Sequence, residues 1–544
     1  MKTGIIFLVI LSVIYGSSSE KAVRIENGPI IGDESEDFYA FRGIPYAEPP
    51  VGDLRFAPPL PFAAKWTDNK DFKEFGAVCA QYDHSGYVYK GDEDCLTLNV
   101  FVPKSILNSD KKVPVIFYIH GGAFMFGASK YYGPEILMKE ENMILVSANY
   151  RLGILGFLST EDSVIPGNYG LKDQVEALRW VQKNIAAFNG DPTKVTLSGF
   201  SAGGASAHLH YMSPLTDGLF NNGISHSGNA LDPWVMVENS EEKAHQIAAF
   251  MECPKKHREL IKCLREKSAE DLVMLTKKFQ PFLYIPFSPF GVVVEPKSNS
   301  AFLLAQPKML LEKGNYKKLP WLISQTQDEG LFPAFEFFDD EVLKTITNRF
   351  YELAPYFLDF NGTTTNVFRK KQMAEAARRR YVGIAPISKE TYVALKDMFT
   401  DRLFKHGAYK SLKLQAGHSP AYFYHFLYKT LFNIVPNENF GVSHGEDVYL
   451  IYKRLEREEP FTDGETKVSK NLLNLYYNFA TNNEVVFGDV EVEKVNPKHV
   501  KALEVTDSGE GVIVDVDEAF GAGPFWDDVE KTLTTEEATY HDEF

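Results

Sequence analysis

Gly199-Phe200-Ser201-Ala202-Gly203 decides the reading of this chain. It follows a short β-branched run, Val195-Thr196-Leu197, and leads into small residues suited to opening a helix. A serine on such a strand-to-helix turn is turned outward, with its Oγ exposed above the sheet. Gly199 and Gly203 make room for the strained backbone, and the helix N-terminus behind the serine favours negative charge nearby. That arrangement prepares a weak alcohol to attack a carbonyl. Three fixed positions alone match by chance in about one chain of this size in five, so the surrounding sequence has to decide.

Acyl transfer also needs donors for an oxyanion, a base and an acid that orients the base. His120-Gly121-Gly122-Ala123-Phe124 emerges directly from the apolar run Val115 to Ile119. Its small residues let backbone N–H groups approach a carbonyl oxygen, and the N–H of Ala202 is the natural partner. For the acid, Asp328-Glu329-Gly330 follows the run Trp321–Ser324, and either carboxylate suits the chemistry. For the base, thirteen histidines are available. Gly441-Val442-Ser443-His444-Gly445 puts His444 in a glycine-flanked loop able to reach over a nucleophile. His406 is a rival in a helix-like segment. His425 reads as a core residue of an aromatic strand, while His208 and His210 lie on the serine's own helix and point away from its Oγ.

Unbroken apolar runs at Val115–Ile119, Met143–Val146, Val195–Leu197 and Trp321–Ile323 read as strands covered on both faces. Leu171, Val175, Leu178, Val181, Ile185 and Phe188 recur at helical spacing on one face, and Asn189-Gly190-Asp191-Pro192 ends that helix. Strand alternating with helix implies an α/β architecture with a mainly parallel sheet. Asn27-Gly28 reads as the turn of an N-terminal hairpin, Tyr422–Tyr428 as a further strand and Leu472–Phe479 as helix. Residues 235–320 and 335–415 are patterned as helical insertions over the site.

The 544-residue chain carries a net charge of −16, which argues against nucleic acid and anionic membranes as partners. Residues 1–18 have the form of a signal peptide: Lys2, an apolar core from Ile5 to Tyr15, then small residues. No other segment has the length and apolarity of a membrane span. The main body is expected over residues 19–531, with an acidic tail over 532–544. An oxidising compartment makes Cys79, Cys95, Cys253 and Cys263 candidates for disulfides, and short loops favour Cys79–Cys95 and Cys253–Cys263. Asn361-Gly362-Thr363 is a glycosylation sequon. His541-Asp542-Glu543-Phe544 differs from an endoplasmic-reticulum retention signal only at its last position; secretion is the expected destination and the reticulum lumen the alternative. No metal and no organic cofactor is expected, and nothing in the sequence sets an oligomeric state.

Several motifs together resemble the type-B carboxylesterases of the α/β-hydrolase fold, most of all secreted insect esterases of the juvenile-hormone, pheromone-degrading and detoxifying kind. They are Phe41-Arg42-Gly43-Ile44-Pro45-Tyr46-Ala47, Glu93 to Val100, His120 to Phe124, Asn149 to Gly153, Gly167 to Leu171, Gly199 to Gly204, Asp328 to Gly330 and His444-Gly445. The resemblance implies Ser201 as nucleophile, Glu329 rather than Asp328 as acid and His444 as base. It implies an oxyanion hole from the Gly122, Ala123 and Ala202 amides beside Gly121, both short-loop disulfides, and Ser227 as a supporting serine behind the triad. Two departures stand out: Phe200 occupies a position where many members have Glu, and Ala123 replaces a third glycine. The loop from Cys79 to Cys95 has no tryptophan to hold a quaternary ammonium, so a cholinesterase is rejected. The expected activity is hydrolysis of small, uncharged lipophilic esters in a gorge lined by Phe124, Phe126 and Phe200. A triacylglycerol lipase is the alternative use of the same triad.

Overall fold

The computed structural model describes residues 21–454 and 459–534; the signal-like segment 1–18 and the tetrapeptide at 541–544 lie outside the described residues. The protein is organised on an eleven-stranded sheet. In chain order its strands are β1 (Asp33–Glu34), β2 (Phe38–Pro45), β3 (Thr97–Pro103), β4 (Val113–Ile119), β5 (Ile144–Ala148), β6 (Gly190–Phe200), β7 (Asn222–His226), β8 (Trp321–Thr326), β9 (Ala421–Phe426), β10 (Val500–Val505) and β11 (Gly511–Val516). The spatial order is β11-β10-β9-β8-β7-β6-β4-β5-β3-β2-β1. Every pairing from β10 across to β5 is parallel, and both edges are antiparallel.

The apolar runs explain the centre. β4, β5, β7 and β8 are buried at every residue, as parallel strands covered by helices on both faces must be. Crossovers supply the covering helices. Helix α1 (Tyr169–Asn184) buries Leu171, Val175, Leu178 and Val181; Ile185 and Phe188 continue the same face in a short 3-10 turn. Asn189 then takes a left-handed conformation at φ 64° and feeds the chain into β6. Helix α2 (Ala202–Met212) begins immediately after β6 and is buried throughout. Helix α3 (Asp463–Asn482) contains the expected Leu472–Phe479 segment and opens on a reciprocal Thr462–Glu465 cap.

Two details differ from the sequence reading. The N-terminal hairpin pairs Ala22–Ile25 with Gly28–Ile31, so its loop is Glu26-Asn27 and Gly28 already belongs to the second strand. Asn27 is held in place by donating its side-chain amide to the Phe62 and Ala64 carbonyls. Within 235–320, helices occupy Ser240–Phe250, His257–Glu266, Ala269–Met274 and Pro307–Glu312, whereas 280–306 contains none. Pro281, Pro286, Pro289 and Pro296 remove backbone donors from that stretch. The 335–415 segment is helical as expected, over Asp340–Phe357, Val367–Tyr381, Tyr392–Thr400 and His406–Ala416.

Both disulfides pair as the short loops favour, Cys79 with Cys95 and Cys253 with Cys263. A buried ion pair anchors α1. Arg151 donates from Nε and a terminal amine to the two Asp173 oxygens at 2.8 and 2.7 Å, and its backbone N–H donates at 3.0 Å. Both side chains are out of solvent, at 4% and 0% exposure. Asp173→Ala strands the guanidinium, so unfolding in urea is expected to show a loss of about 3–5 kcal/mol. A variant within about 1 kcal/mol of the parent would contradict this account.

Candidate active site

The Ser201 turn has the geometry its glycines imply. Ser201 sits at φ 58° and ψ −122° between β6 and α2, a backbone state that costs on the order of 1–3 kcal/mol and needs surrounding structure to hold it. A Cβ at Gly203 would fall on the Ile119 carbonyl of β4, and one at Gly199 on the Gly203 carbonyl. The Ser201 N–H donates to His226 O at 2.8 Å, which ties the turn to the end of β7.

The loop after β4 folds beneath it. Gly122, Ala123 and Phe124 take positive φ in succession, at 115°, 54° and 61°. This turns the chain sharply, and the departure to Ala123 therefore carries backbone strain that glycine would not. Among the described residues the N–H groups of Gly122, Ala123 and Ala202 have no protein acceptor. A Cβ at Gly121 would stand 3.0 Å from the Ser201 Cβ, so any side chain there presses on the serine. Gln81, between the paired cysteines, clamps the loop from outside: it accepts from Gly127 N–H at 2.9 Å and donates to Gly127 O at 3.1 Å. Ser288 donates to Ala123 O at 3.0 Å.

The two neighbouring carboxylates have separate partners. Glu329, fully buried, accepts from His444 Nδ1 on Oε2 at 2.6 Å and from Thr326 N–H on Oε1 at 2.7 Å. Asp328 instead accepts from Lys396 Nζ and from Val442 N–H, and its backbone pairs with the 442–443 segment. Glu329 thus grips the imidazole while Asp328 grips the loop that presents it. His444 Nε2 is buried with no hydrogen-bond partner among the described residues. The Phe200 ring, adjacent to the serine, lies 4.6 Å from the His444 ring between centroids.

The other histidines are engaged elsewhere. His208 bonds Gln415 and stacks on Trp321, His210 bonds Gln174, and burial lowers both to a pKa of about 3. His120 is lowered to about 4 by burial. His406 faces Asp527, and burial lowers it as well. His425 is half-buried in β9, and its loss of solvent places it well below the ordinary range.

A polar network absent from the sequence reading supports the histidine loop. Asp447, three residues after His444, accepts from Ser324 at 2.9 Å and Tyr424 at 2.7 Å and lies 3.0 Å from His226 Nδ1. Burial alone would raise its pKa, but His226 and these donors hold it below the usual carboxylate range. Glu446 accepts from Ser443 N–H at 2.7 Å and from Thr430. No spacing in the sequence singles out these groups, because they come from five different strands and loops. Ser227 is buried behind the turn at φ 51°.

The gorge reading needs correction at Phe124. Phe124 packs on Phe157 and Trp234 in the core, whereas Phe126 borders Gly122 and packs beside His84. The rings around His444 are Phe200, Phe332 and Phe404, the last two at 5.1 and 4.8 Å. A cavity of about 760 Å³ lies behind this wall, bordered by Trp234, Phe279 and Ser288, and none of Ser201, Glu329 or His444 lines it. Asn361 borders it too, with its Oδ1 accepting from Lys370. Among the described residues no cluster of metal-ligating side chains adjoins Ser201.

Known proteins agree with this architecture. A sequence profile of the carboxylesterase family matches residues 19–519. Esterase-5B of Drosophila persimilis is 35% identical over 510 residues, covering 90% of this chain and 93% of its own. A carboxylic ester hydrolase of Bombus ignitus is 37% identical over 521 residues, covering 91% and 92%. Venom carboxylesterase-6 of Apis mellifera is 37% identical over 476 residues, covering 85% and 84%. With its mostly parallel sheet flanked by helices, the chain belongs to the carboxylesterase family of α/β-hydrolases and is a carboxylesterase.

Proposed function

We propose that this carboxylesterase works through an acyl-enzyme on Ser201 and prefers small, uncharged lipophilic esters. The observation that carries the reading is the His444 ring, fixed on Glu329 through Nδ1 with Nε2 unpartnered, and packed 4.6 Å from the ring of Phe200, the residue before the serine. In this scheme Nε2 takes the Ser201 proton as Oγ attacks the ester carbonyl. The N–H groups of Gly122, Ala123 and Ala202 hold the oxyanion, with Gly121 leaving space for the acyl carbon. The C–O bond to the alcohol then breaks and His444 returns the proton to the leaving oxygen. Water, deprotonated by His444, attacks the acyl-serine and releases the carboxylate.

The three phenylalanines around His444 support an apolar substrate. A fluorophosphonate probe should label Ser201 stoichiometrically and abolish ester turnover. Across an ester panel, neutral esters should exceed choline esters in kcat/KM. Labelling at another residue, or a preference for the charged ester, would overturn the corresponding half of the reading.

Transit through the secretory pathway to the cell exterior is part of the same proposal. It is supported by the two disulfides and by the signal-like pattern of residues 1–18. Asn361 would carry the glycan. Among the described residues no helix is long and apolar enough to cross a membrane.

A further inference from the structure

Away from Ser201, four side chains from three segments meet at the surface. Helix Ser240–Phe250 carries Glu241 and His245 one turn apart, so both leave the same face. His257 is the first residue of the following helix, His257–Glu266, and the Cys253–Cys263 disulfide closes the connection onto that second helix. The fourth, Asp162, comes from the loop that precedes α1.

The atoms are arranged around a point. His257 Nε2 lies 3.3 Å from His245 Nε2 and 3.4 Å from Glu241 Oε1. Two donors bound to one tetrahedral zinc at about 2.0–2.1 Å stand roughly 3.3–3.4 Å apart. On its other side, His257 Nδ1 lies 2.9 Å from Asp162 Oδ2. Asp162 is itself locked, because Oδ1 accepts from Thr160 Oγ1 at 2.6 Å and from Val164 N–H at 2.9 Å.

The protonation pattern points the same way. With Nδ1–H donated to the carboxylate, His257 Nε2 presents a lone pair. That lone pair faces the His245 ring nitrogen and a Glu241 carboxylate oxygen, so three ligand atoms converge within reach of one cation. A proton on His257 serves one neighbour well, whereas a metal ion serves all three ligand atoms. Metal-bound histidines characteristically donate their remaining ring N–H to a carboxylate or carbonyl, as His257 does to Asp162.

A second cluster, His406 with Asp527 and Glu530, differs in the decisive respect. Its carboxylates already accept from Lys410 at 2.9 and 3.1 Å and from Arg402 at 2.9 Å. Among the described residues, neither Glu241 nor Asp162 has a lysine or arginine partner.

We propose that Glu241, His245 and His257 form a structural site for a divalent transition-metal ion of the zinc class, with Asp162 orienting His257 and water completing the coordination. The exposure of the Glu241 side chain, 50%, gives the ion a path in from solvent. Bound there, the ion joins the loop before α1 to both helices. That loop already touches the first helix, where Glu161 Oε1 accepts Ser240 N–H at 2.8 Å. The expected consequence is added stability with no change in ester turnover.

The test is titration of chelator-washed full-length protein with zinc chloride, followed by calorimetry and thermal unfolding. Binding should saturate at about one ion per chain and raise Tm. His245→Ala and His257→Ala should abolish both effects, and Asp162→Asn should weaken binding by about 10–100-fold. His499→Ala, at an exposed histidine elsewhere, should bind as the parent does. Unchanged p-nitrophenyl acetate turnover in His245→Ala shows that this variant is folded. Absence of saturable binding in the parent would overturn the site. So would undiminished binding in folded His245→Ala, or an equal loss in His499→Ala.

Discussion

Ser201→Ala is expected to lower kcat for p-nitrophenyl acetate by about 10⁶-fold, the scale on which other serine hydrolases lose activity with their nucleophile. The substitution removes one oxygen from a buried side chain and keeps the backbone, including the Ser201 N–H bond to His226 O. Tm should therefore stay close to the parent's. Residual turnover should still exceed that in water, because the amides of Gly122, Ala123 and Ala202 remain to meet the oxyanion. Steady-state kinetics with a melting curve on the same preparation separates lost chemistry from lost fold. Turnover within tenfold of the parent would rule out Ser201 as the nucleophile.

Glu329→Gln should cost about 10⁴-fold in kcat, again without unfolding the protein, and the reason is the tautomer. Thr326 N–H donates to Glu329 Oε1 at 2.7 Å. In the glutamine variant that backbone donor keeps the amide oxygen at the same place. The NH₂ group must then face His444 Nδ1, which has to accept instead of donate. The ring proton moves to Nε2, where the base needs a lone pair to receive the serine proton. Kinetics of Glu329→Gln beside Glu329→Asp provides the measurement. A loss below about tenfold in the glutamine variant would show that the carboxylate does not set the ring's tautomer.

Much of the site is legible locally. A strand, a glycine-hemmed turn and a helix lie within some twenty residues around Ser201, and the steric demands of Gly199 and Gly203 are met by backbone that the same stretch and β4 supply. The 121–123 loop is similarly visible as small residues leaving a buried strand. Several other shared motifs turn out to hold the fold. Asn149 accepts from Ser129 N–H at 3.0 Å, Arg151 pairs with Asp173, and Asn168 bonds Val293 and Glu295. They recur in the family's pattern although they stand outside the proposed chemistry.

Other residues left no local trace. Residues alone do not separate Asp328 from Glu329, since both follow the same strand with the same charge. The choice comes from where each points once Val442 and Lys396 take one carboxylate and His444 the other. Phe332 and Phe404, absent from the sequence's gorge reading, approach His444 from the turn after Glu329 and from the 335–415 insertion. Asp447 works through partners on β7, β8 and β9.

The amino-acid sequence by itself determined the α/β class, the strand–turn–helix around Ser201 and the small-residue loop after β4, and it favoured the pairing of four cysteines through short loops, because these depend on neighbours in the chain and on periodic burial. Tertiary structure alone decided which carboxylate meets which histidine, which rings border the reacting centre and which distant polar groups gather around His257. Those contacts join residues up to a hundred or more positions apart. Their geometry follows from the order of strands in the sheet and the packing of the insertions, which no short stretch of chain encodes.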